Sequence, residues 1–236
     1  MFNKLKNKKI LVVVAHPDDE LLGLGATINK LITEQGCVAN ALILGEGITS
    51  RSNKRDVLKS KEKLSIHKKN ILDASIKIGF NNVRTSNFPD NRFDSTDLLD
   101  IIKVVEQEKS KFNPDIIFTH HCGDLNVDHR LTFDSVMTAF RPLPDEKKVT
   151  IISFETPSGT EWIPSSSPKK FIPNFFCEVS KNNLQAKIDG MECYKFEKRK
   201  FPHPRSPKAL KLLASYRGMT IGVEYAEAFQ IIRSVV

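Results

Sequence analysis

The chain has 236 residues, 40% of them hydrophobic and 27% charged, enough apolar content to bury a full core and too much for a disordered or fibrous protein. No apolar run approaches the roughly 18 to 20 residues of a membrane span. The net charge of +8 comes from dispersed groups, Lys54/Arg55, Lys59/Lys61/Lys63, Lys68/Lys69, Lys169/Lys170 and Lys198/Arg199/Lys200, with no interleaved aromatics. They read as solvated faces or as attraction for an anionic substrate, and no nucleic-acid partner is expected. Cys37, Cys122, Cys177 and Cys193 lack metal-knuckle or redox spacing, which favours a reducing, cytoplasmic setting.

The first element is a buried strand, Ile10 to Ala15. Lys4, Lys6, Lys8 and Lys9 ahead of it imitate a secretory leader, but the run is shorter than the usual ~7 to 15 residues and no small-residue cleavage site follows. A helix is expected from Leu21 to about Glu34, then a strand from Val38 to Leu44 closed by Gly45. Asn53 to Ile78 is charged and helix-compatible, with an imperfect stripe of Leu58, Leu64, Ile71 and Leu72, and Val83 to Phe88 forms a third strand. After a turn at Pro89-Asp90-Asn91, Ser95 or Thr96 caps a helix running to about Lys111.

Asp115 to Thr119 is the next buried strand, His120 to Val127 a polar loop, and Asp128 to Phe140 a helix stopped by Pro142 and Pro144. A strand over Val149 to Phe154 and a long Pro/Ser-rich loop, Pro157 to Pro173, follow. The remaining elements are a strand near Phe175 to Val179, helices over Leu184 to Phe196 and Lys208 to Tyr216, and a last strand over Ala228 to Ile232. This alternation predicts an α/β fold, a Rossmann-like, mostly parallel sheet with helices on both faces and an elaborated C-terminal part.

In such a sheet ligands bind beyond the carboxyl ends of the strands. The polar clusters fall there: His16 to Glu20, Glu46 to Arg51, Pro89 to Arg92 and His120 to Arg130. His16 and Asp19 span a strand-to-helix turn and can aim at one point, with Asp18 facing the adjacent space. The best-placed third ligand comes from Asp128-His129, and two histidines with one carboxylate leave a position open for water, the pattern of catalytic zinc. Gly23-Leu24-Gly25 does not make a dinucleotide fingerprint, because pyrophosphate would meet Asp18, Asp19 and Glu20; these glycines let the first helix pack closely on the sheet.

Ala15-His16-Pro17-Asp18-Asp19-Glu20, with Gly23 and Gly25, resembles the signature of the LmbE-like (PIG-L type) zinc-dependent N-deacetylases. The likeness continues through Asp124-Leu125-Asn126-Val127-Asp128-His129-Arg130 and Tyr225-Ala226-Glu227-Ala228-Phe229. It is looser at Gly47 to Arg51, Phe88 to Arg92 and His203 to Ser206. It implies a single deacetylase domain over residues 1–236, zinc (Zn2+) held by His16, Asp19 and His129, and Asp18 as general base. It also implies hydrolysis of the N-acetyl group of an N-acetylglucosamine-like sugar or glycoconjugate.

One position departs from the family: many relatives carry His-Pro-Asp-His where this chain has Asn126-Val127-Asp128-His129. Asn126 is then expected to donate to the oxyanion, with His120 or His121 supplying the imidazole. Glu20, Arg51, Asp90 and Arg205 are candidate substrate contacts, and Asp128 a group that orients an imidazole. Cys122 reads as inert, and Trp162 as either a wall for a sugar ring or a pin for its loop. The competing class is a metal- or substrate-binding protein on the same scaffold with lost or redirected catalysis. Homo-oligomerisation is left open.

Overall fold

A computed structural model describes residues 5–51 and 53–234; Lys4 lies outside them. The elements are β1 (Lys9–Val14), α1 (Asp19–Gln35), β2 (Val38–Gly45), α2 (Lys61–Ile78), β3 (Asn82–Phe88), α3 (Leu98–Phe112), β4 (Ile116–His120), α4 (Val127–Ala139), β5 (Thr150–Phe154), β6 (Phe175–Glu178), α5 (Lys181–Cys193), α6 (Pro207–Met219) and β7 (Ala226–Arg233). The seven strands form one sheet in the order β3-β2-β1-β4-β5-β7-β6. Strands β1 to β5 pair in parallel, and β7 runs antiparallel to both β5 and β6.

The run Ile10 to Ala15 is hydrophobic without interruption because both faces of β1 are covered. Ile10, Val12 and Val14 join the core that also holds residues of α1, α2, α5 and α6, while Leu11, Val13 and Ala15 join the one that holds residues of α3 and α4. Each such aliphatic side chain contributes about 1.5 to 3 kcal/mol on burial. No helix among the described residues is long and apolar enough to cross a membrane.

Chain progression reverses between β1 and β4: β2 and β3 lie on one side, β5 on the other. The loops leaving β1 and β4 therefore diverge to opposite sides and open a crevice at their carboxyl ends. Helix α1 begins at that crevice but is not regular. Leu24 has φ −154°, and the helical bond expected between Ala26 and Leu22 is replaced at both ends: Lys187 Nζ donates to the Leu22 carbonyl at 2.8 Å and Glu227 accepts from Ala26 and Thr27 N–H at 3.4 and 2.7 Å. A Cβ on Gly23 would overlap the buried Phe154 ring, which is the close approach expected of that glycine.

Three expected boundaries differ. Residues 53–60 form turns, and α2 starts only at Lys61, with Leu58 and Leu72 exposed and His67, Asn70, Ile71, Ala74 and Ile78 inward. Helix α3 is preceded by Asp97, because Phe93–Ser95 closes a 3-10 turn of its own. Helix α5 stops at Cys193, which frees residues 194–206 to form a wall beside the crevice.

Candidate active site

The turn after β1 places Asp18 in the left-handed region, φ 107° and ψ −26°, a conformation that costs a non-glycine residue about 1 to 3 kcal/mol. The turn is held at several points. Asp18 N–H donates to Glu20 Oε2 at 3.0 Å, its carbonyl accepts from Leu21 and Leu22, and His16 N–H donates to Asp19 Oδ2 at 2.9 Å. Glu20 is buried and receives the Tyr194 hydroxyl; burial pushes its carboxyl up to about 7 against that hydrogen bond. Glu20 therefore braces the turn, and the substrate contact expected of it is not available.

His16, Asp19 and His129 each present a ligand atom within 4.8 Å of the others. His129 Nε2 is 3.3 Å, and His16 Nδ1 3.4 Å, from Asp19 Oδ2. Both rings are backed by carboxylates: His16 Nε2 is 2.9 Å from Asp128 Oδ2, and His129 Nδ1 is 3.1 Å from Asp124 Oδ1. Asp128 is fixed in turn by Phe93 N–H at 3.0 Å, and Asp124 by Asn126 N–H at 2.8 Å and Thr160 Oγ1 at 2.6 Å.

Asp19 Oδ1 and both ring nitrogens of His129 are buried without a well-aligned hydrogen bond, Nδ1 having only the ion-pair contact with Asp124. Burial lowers the His129 pKa, but Asp19 and Asp124 outweigh it and carry it up to about 9, so the pocket favours positive charge at that ring. Two imidazoles, one carboxylate, unsatisfied ligand atoms and a favourable potential suit a divalent cation. A second grouping, His16 with Asp90 and Asp128, is less open, because His16 Nε2 is already engaged by Asp128.

Asp18 lies beside this cluster and is 1% exposed. Burial raises its carboxyl well above the ordinary range, Arg205 opposes the rise, and Asp19, Glu197 and Glu20 add to it. Arg205 Nη1 donates to Asp18 Oδ2 at 2.8 Å and Arg205 Nε to Ser158 Oγ at 2.6 Å. These groups border a cleft of about 250 Å3 also lined by His16, Ser50, Arg51, Asp90, Asn126, Trp162, Glu197, Arg199 and His203. Arg51 reaches the cleft but pairs with Glu197. Asp90 is spent on tying loops, its Oδ2 accepting from Ser50 N–H and Oγ at 3.1 and 2.7 Å and its Oδ1 from Asn91.

Asn126 caps α4, its Oδ1 accepting from Asp128 N–H at 2.8 Å, while Nδ2 donates to Asn91 Oδ1 at 2.8 Å. One amide hydrogen remains to face the cleft. The two histidines expected to assist do not line the cleft, although His120 Nε2 comes within 3.4 Å of Asp19 Oδ2. His120 is fully buried, stacks on His129 at 3.9 Å, accepts Ala15 N–H on Nε2 at 2.9 Å and has Nδ1 3.1 Å from Thr156 Oγ1. Burial, with the neighbouring His129, presses its pKa to about 3. His121 points away, its Nε2 donating to the Lys169 carbonyl at 2.8 Å. Neither lines the cleft, so the assisting imidazole is not there; His203 is the cleft histidine of the C-terminal wall. Trp162, 52% exposed, lines the cleft edge-on to His203, and Cys122 does not line it.

The sequence marks no site role for Asp124 or Glu197, shows Arg199 only as one of its dispersed basic groups, and shows His203 only at the head of a loose likeness. Asp124 opens the stretch Asp124 to Arg130, and that position, five residues before His129, is the signal the sequence offers. Glu197 and Arg199 lie just beyond the helix expected to end at Phe196, where no element is assigned, and His203 opens the loosely similar stretch His203 to Ser206.

Residues 11–140 match the family described as PIG-L, GlcNAc-PI de-N-acetylase. An uncharacterised deacetylase, YaiS, of Escherichia coli is 27% identical over 195 residues, 80% of this chain and 92% of that protein. A probable N-acetyl-alpha-D-glucosaminyl L-malate deacetylase 2 of Bacillus cereus is 28% identical over 146 residues, 61% of this chain and 66% of its own length. Among solved structures, GalB, the 4-carboxy-2-hydroxymuconate hydratase of Pseudomonas putida KT2440, superposes with a TM-score of 0.73 at 18% identity over 97% of this chain and 98% of its own, so the fold is shared across different chemistries. With the family match covering more than half of its length, the chain belongs to the PIG-L family.

Proposed function

We propose that the chain is a zinc-dependent N-deacetylase that hydrolyses the acetamide of an N-acetylglucosamine-like sugar or conjugate. The observation that carries this reading is the convergence of His16, Asp19 and His129, two of them with unsatisfied buried ligand atoms, next to a buried and unliganded Asp18. Those three side chains would hold the ion, which supplies a lowered water pKa and a Lewis acid for the acetamide carbonyl.

Asp18 takes the proton of the attacking water and returns it to the departing amine, so that amide and water become acetate and amine. Its raised carboxyl pKa brings it nearer to neutrality, which suits a group that must both accept and give a proton. Asp128 and Asp124 hold the two imidazoles in the required tautomers. Asn126 offers its free amide hydrogen to the oxygen on which charge develops. The cleft volume is below the usual ~300 to 1,000 Å3 of larger ligand sites, which suits one sugar unit with its acetamide, the rest of an acceptor extending outward.

The test is metal analysis of the purified protein with an acetate-release screen over N-acetylated sugars and their conjugates. Zinc near one equivalent with acetate released supports the reading. Zinc bound with no acetate from any substrate would favour redirected chemistry, a reading that the missing imidazole at position 126 and the hydratase on the same fold also support.

A further inference from the structure

A second cavity, of about 560 Å3 against about 250 Å3 for the cleft, opens between α2 and the carboxyl ends of β2 and β3. It falls within the ~300 to 1,000 Å3 usual for small-molecule sites. His67 borders both spaces and is the one residue common to their linings among the described residues. Its Nδ1 is buried without a partner, and burial brings its pKa down to about 4, so it adds a polar group to the wall but no charge.

The apolar lining is aliphatic: Val57, Leu58, Leu64 and Ile71, with no Phe, Tyr or Trp for a flat ring to stack on. Val57 and Leu58 are 40% and 85% exposed, apolar surface left open on the turns ahead of α2. Arg55 ties those turns to the sheet, donating from Nε and Nη2 to the two Glu46 oxygens at 2.7 and 3.0 Å and from Nη2 to the Asn87 carbonyl at 3.4 Å. The wall that carries Val57 and Leu58 is therefore anchored before any ligand arrives.

Glu46 is the only acid among these lining residues, and Arg55 matches it. Asp56 pairs with Lys59, and neither Asp56 nor Glu62 borders the cavity. Lys61 and Lys68, two turns apart on α2, also line it, and their ammoniums have no ion pair or hydrogen bond among the described residues. Two unpaired point charges beside four aliphatic side chains suit a ligand with an anionic head and a saturated tail.

We propose that this cavity is a second ligand site, apart from the cleft, that takes a medium-chain fatty carboxylate, its chain against Val57, Leu58, Leu64 and Ile71 and its carboxylate on Lys61 and Lys68. The site does not depend on the deacetylase reading, and its test involves no turnover.

Butyrate, hexanoate, octanoate and the neutral 1-octanol are titrated into isotope-labelled protein and followed by amide chemical shifts. Octanoate should saturate, with shifts centred on residues 55–71 and 85–87. Each two-carbon extension should tighten binding by about tenfold, and octanoate should bind severalfold more tightly than octanol. Lys61→Gln with Lys68→Gln should erase the preference for octanoate over octanol and keep the dependence on chain length. Leu58→Asp, at an exposed position, should weaken octanoate by about tenfold or more, and the amide spectrum reports that each variant is folded. Shifts centred on Arg51, Asn126 and Arg205 would give the carboxylate to the cleft and overturn the second site. Octanol bound as tightly as octanoate overturns the anionic class. Octanoate affinity unchanged in Leu58→Asp, or no saturation by any of the four, overturns the cavity as a binding site.

Discussion

Asp124 stands directly behind His129, Oδ1 to Nδ1 at 3.1 Å, so that the other ring nitrogen is turned toward Asp19 at 3.3 Å. A carboxylate in that position fixes the tautomer and raises the basicity of a metal-binding imidazole. Asp124→Ala should weaken zinc binding by about 10- to 100-fold, measured by chelator competition. Thr160→Val removes a different bond to Asp124 and should weaken it less. Equal losses in the two variants would mean that the loop, and not the imidazole, is what Asp124 supports.

Asp18→Asn keeps the shape of the turn while removing the proton acceptor. Zinc content should stay at the wild-type level and acetate release should fall by about 10²- to 10⁴-fold, the usual range for loss of a general base. Zinc-loaded Asp18→Asn protein with near wild-type turnover would take the base role away from Asp18.

Asn126 combines two tasks that one substitution separates. Asn126→Asp keeps an acceptor for Asp128 N–H at the head of α4 but has no amide hydrogen for the cleft or for Asn91. kcat should drop by about 10²- to 10³-fold with zinc content unchanged and Tm within a few degrees. Undiminished kcat would assign the donor elsewhere, and His203 is then the residue to replace next.

Much of this site was legible because its residues are local to strand ends. The run Ile10 to Ala15 announces a strand buried on both faces, and His16 to Asp19 must then sit at its carboxyl end. What was hidden depends on contacts across the chain. His120 and His121 looked available because they adjoin the polar loop, yet the first is packed between His129 and Phe154 and the second under Lys169. Glu20 looked like a ligand for hydroxyls until Tyr194, 174 residues away, filled its place. Residues 53–60 carry charge but no cap or buried stripe, so their composition could not distinguish turns from helix.

His67 gives the fold an acid sensitivity of its own. It is buried against Tyr194 and Phe196, its Nδ1 lacks a partner, and burial, with a smaller push from Arg51 against Glu197 and Asp90, brings its pKa down to about 4. The unfolded chain, with its ordinary pKa near 6.5, binds the proton first. The stability is therefore fully present above about pH 6.5 and is lost as pH falls toward 4, a change of about 3 kcal/mol. Urea unfolding of the wild type and His67→Phe at pH 7, 5.5 and 4.5 should show the variant losing less over that range. Parallel losses would refute the assignment.

Lys187 and Glu227 replace a helical hydrogen bond inside α1 with a buried ion pair, 2.6 Å from Nζ to Oε1, that serves the Leu22 carbonyl on one side and the Ala26 amide on the other. Glu227 lies within Tyr225 to Phe229, the motif of the last strand, and this bracing gives that motif a structural role. Removing one partner strands the other charge and reopens the ladder, so Glu227→Ala should cost about 3 to 5 kcal/mol in urea unfolding. Lys187→Met with Glu227→Leu removes both charges, and its loss should fall short of the sum of the single losses by more than about 1 kcal/mol. Because the kink sits five residues beyond Asp19, the single variant should also lower zinc occupancy at temperatures where it remains folded. A Glu227→Ala protein as stable as wild type would show that the kink is set by Gly23 and Gly25 alone.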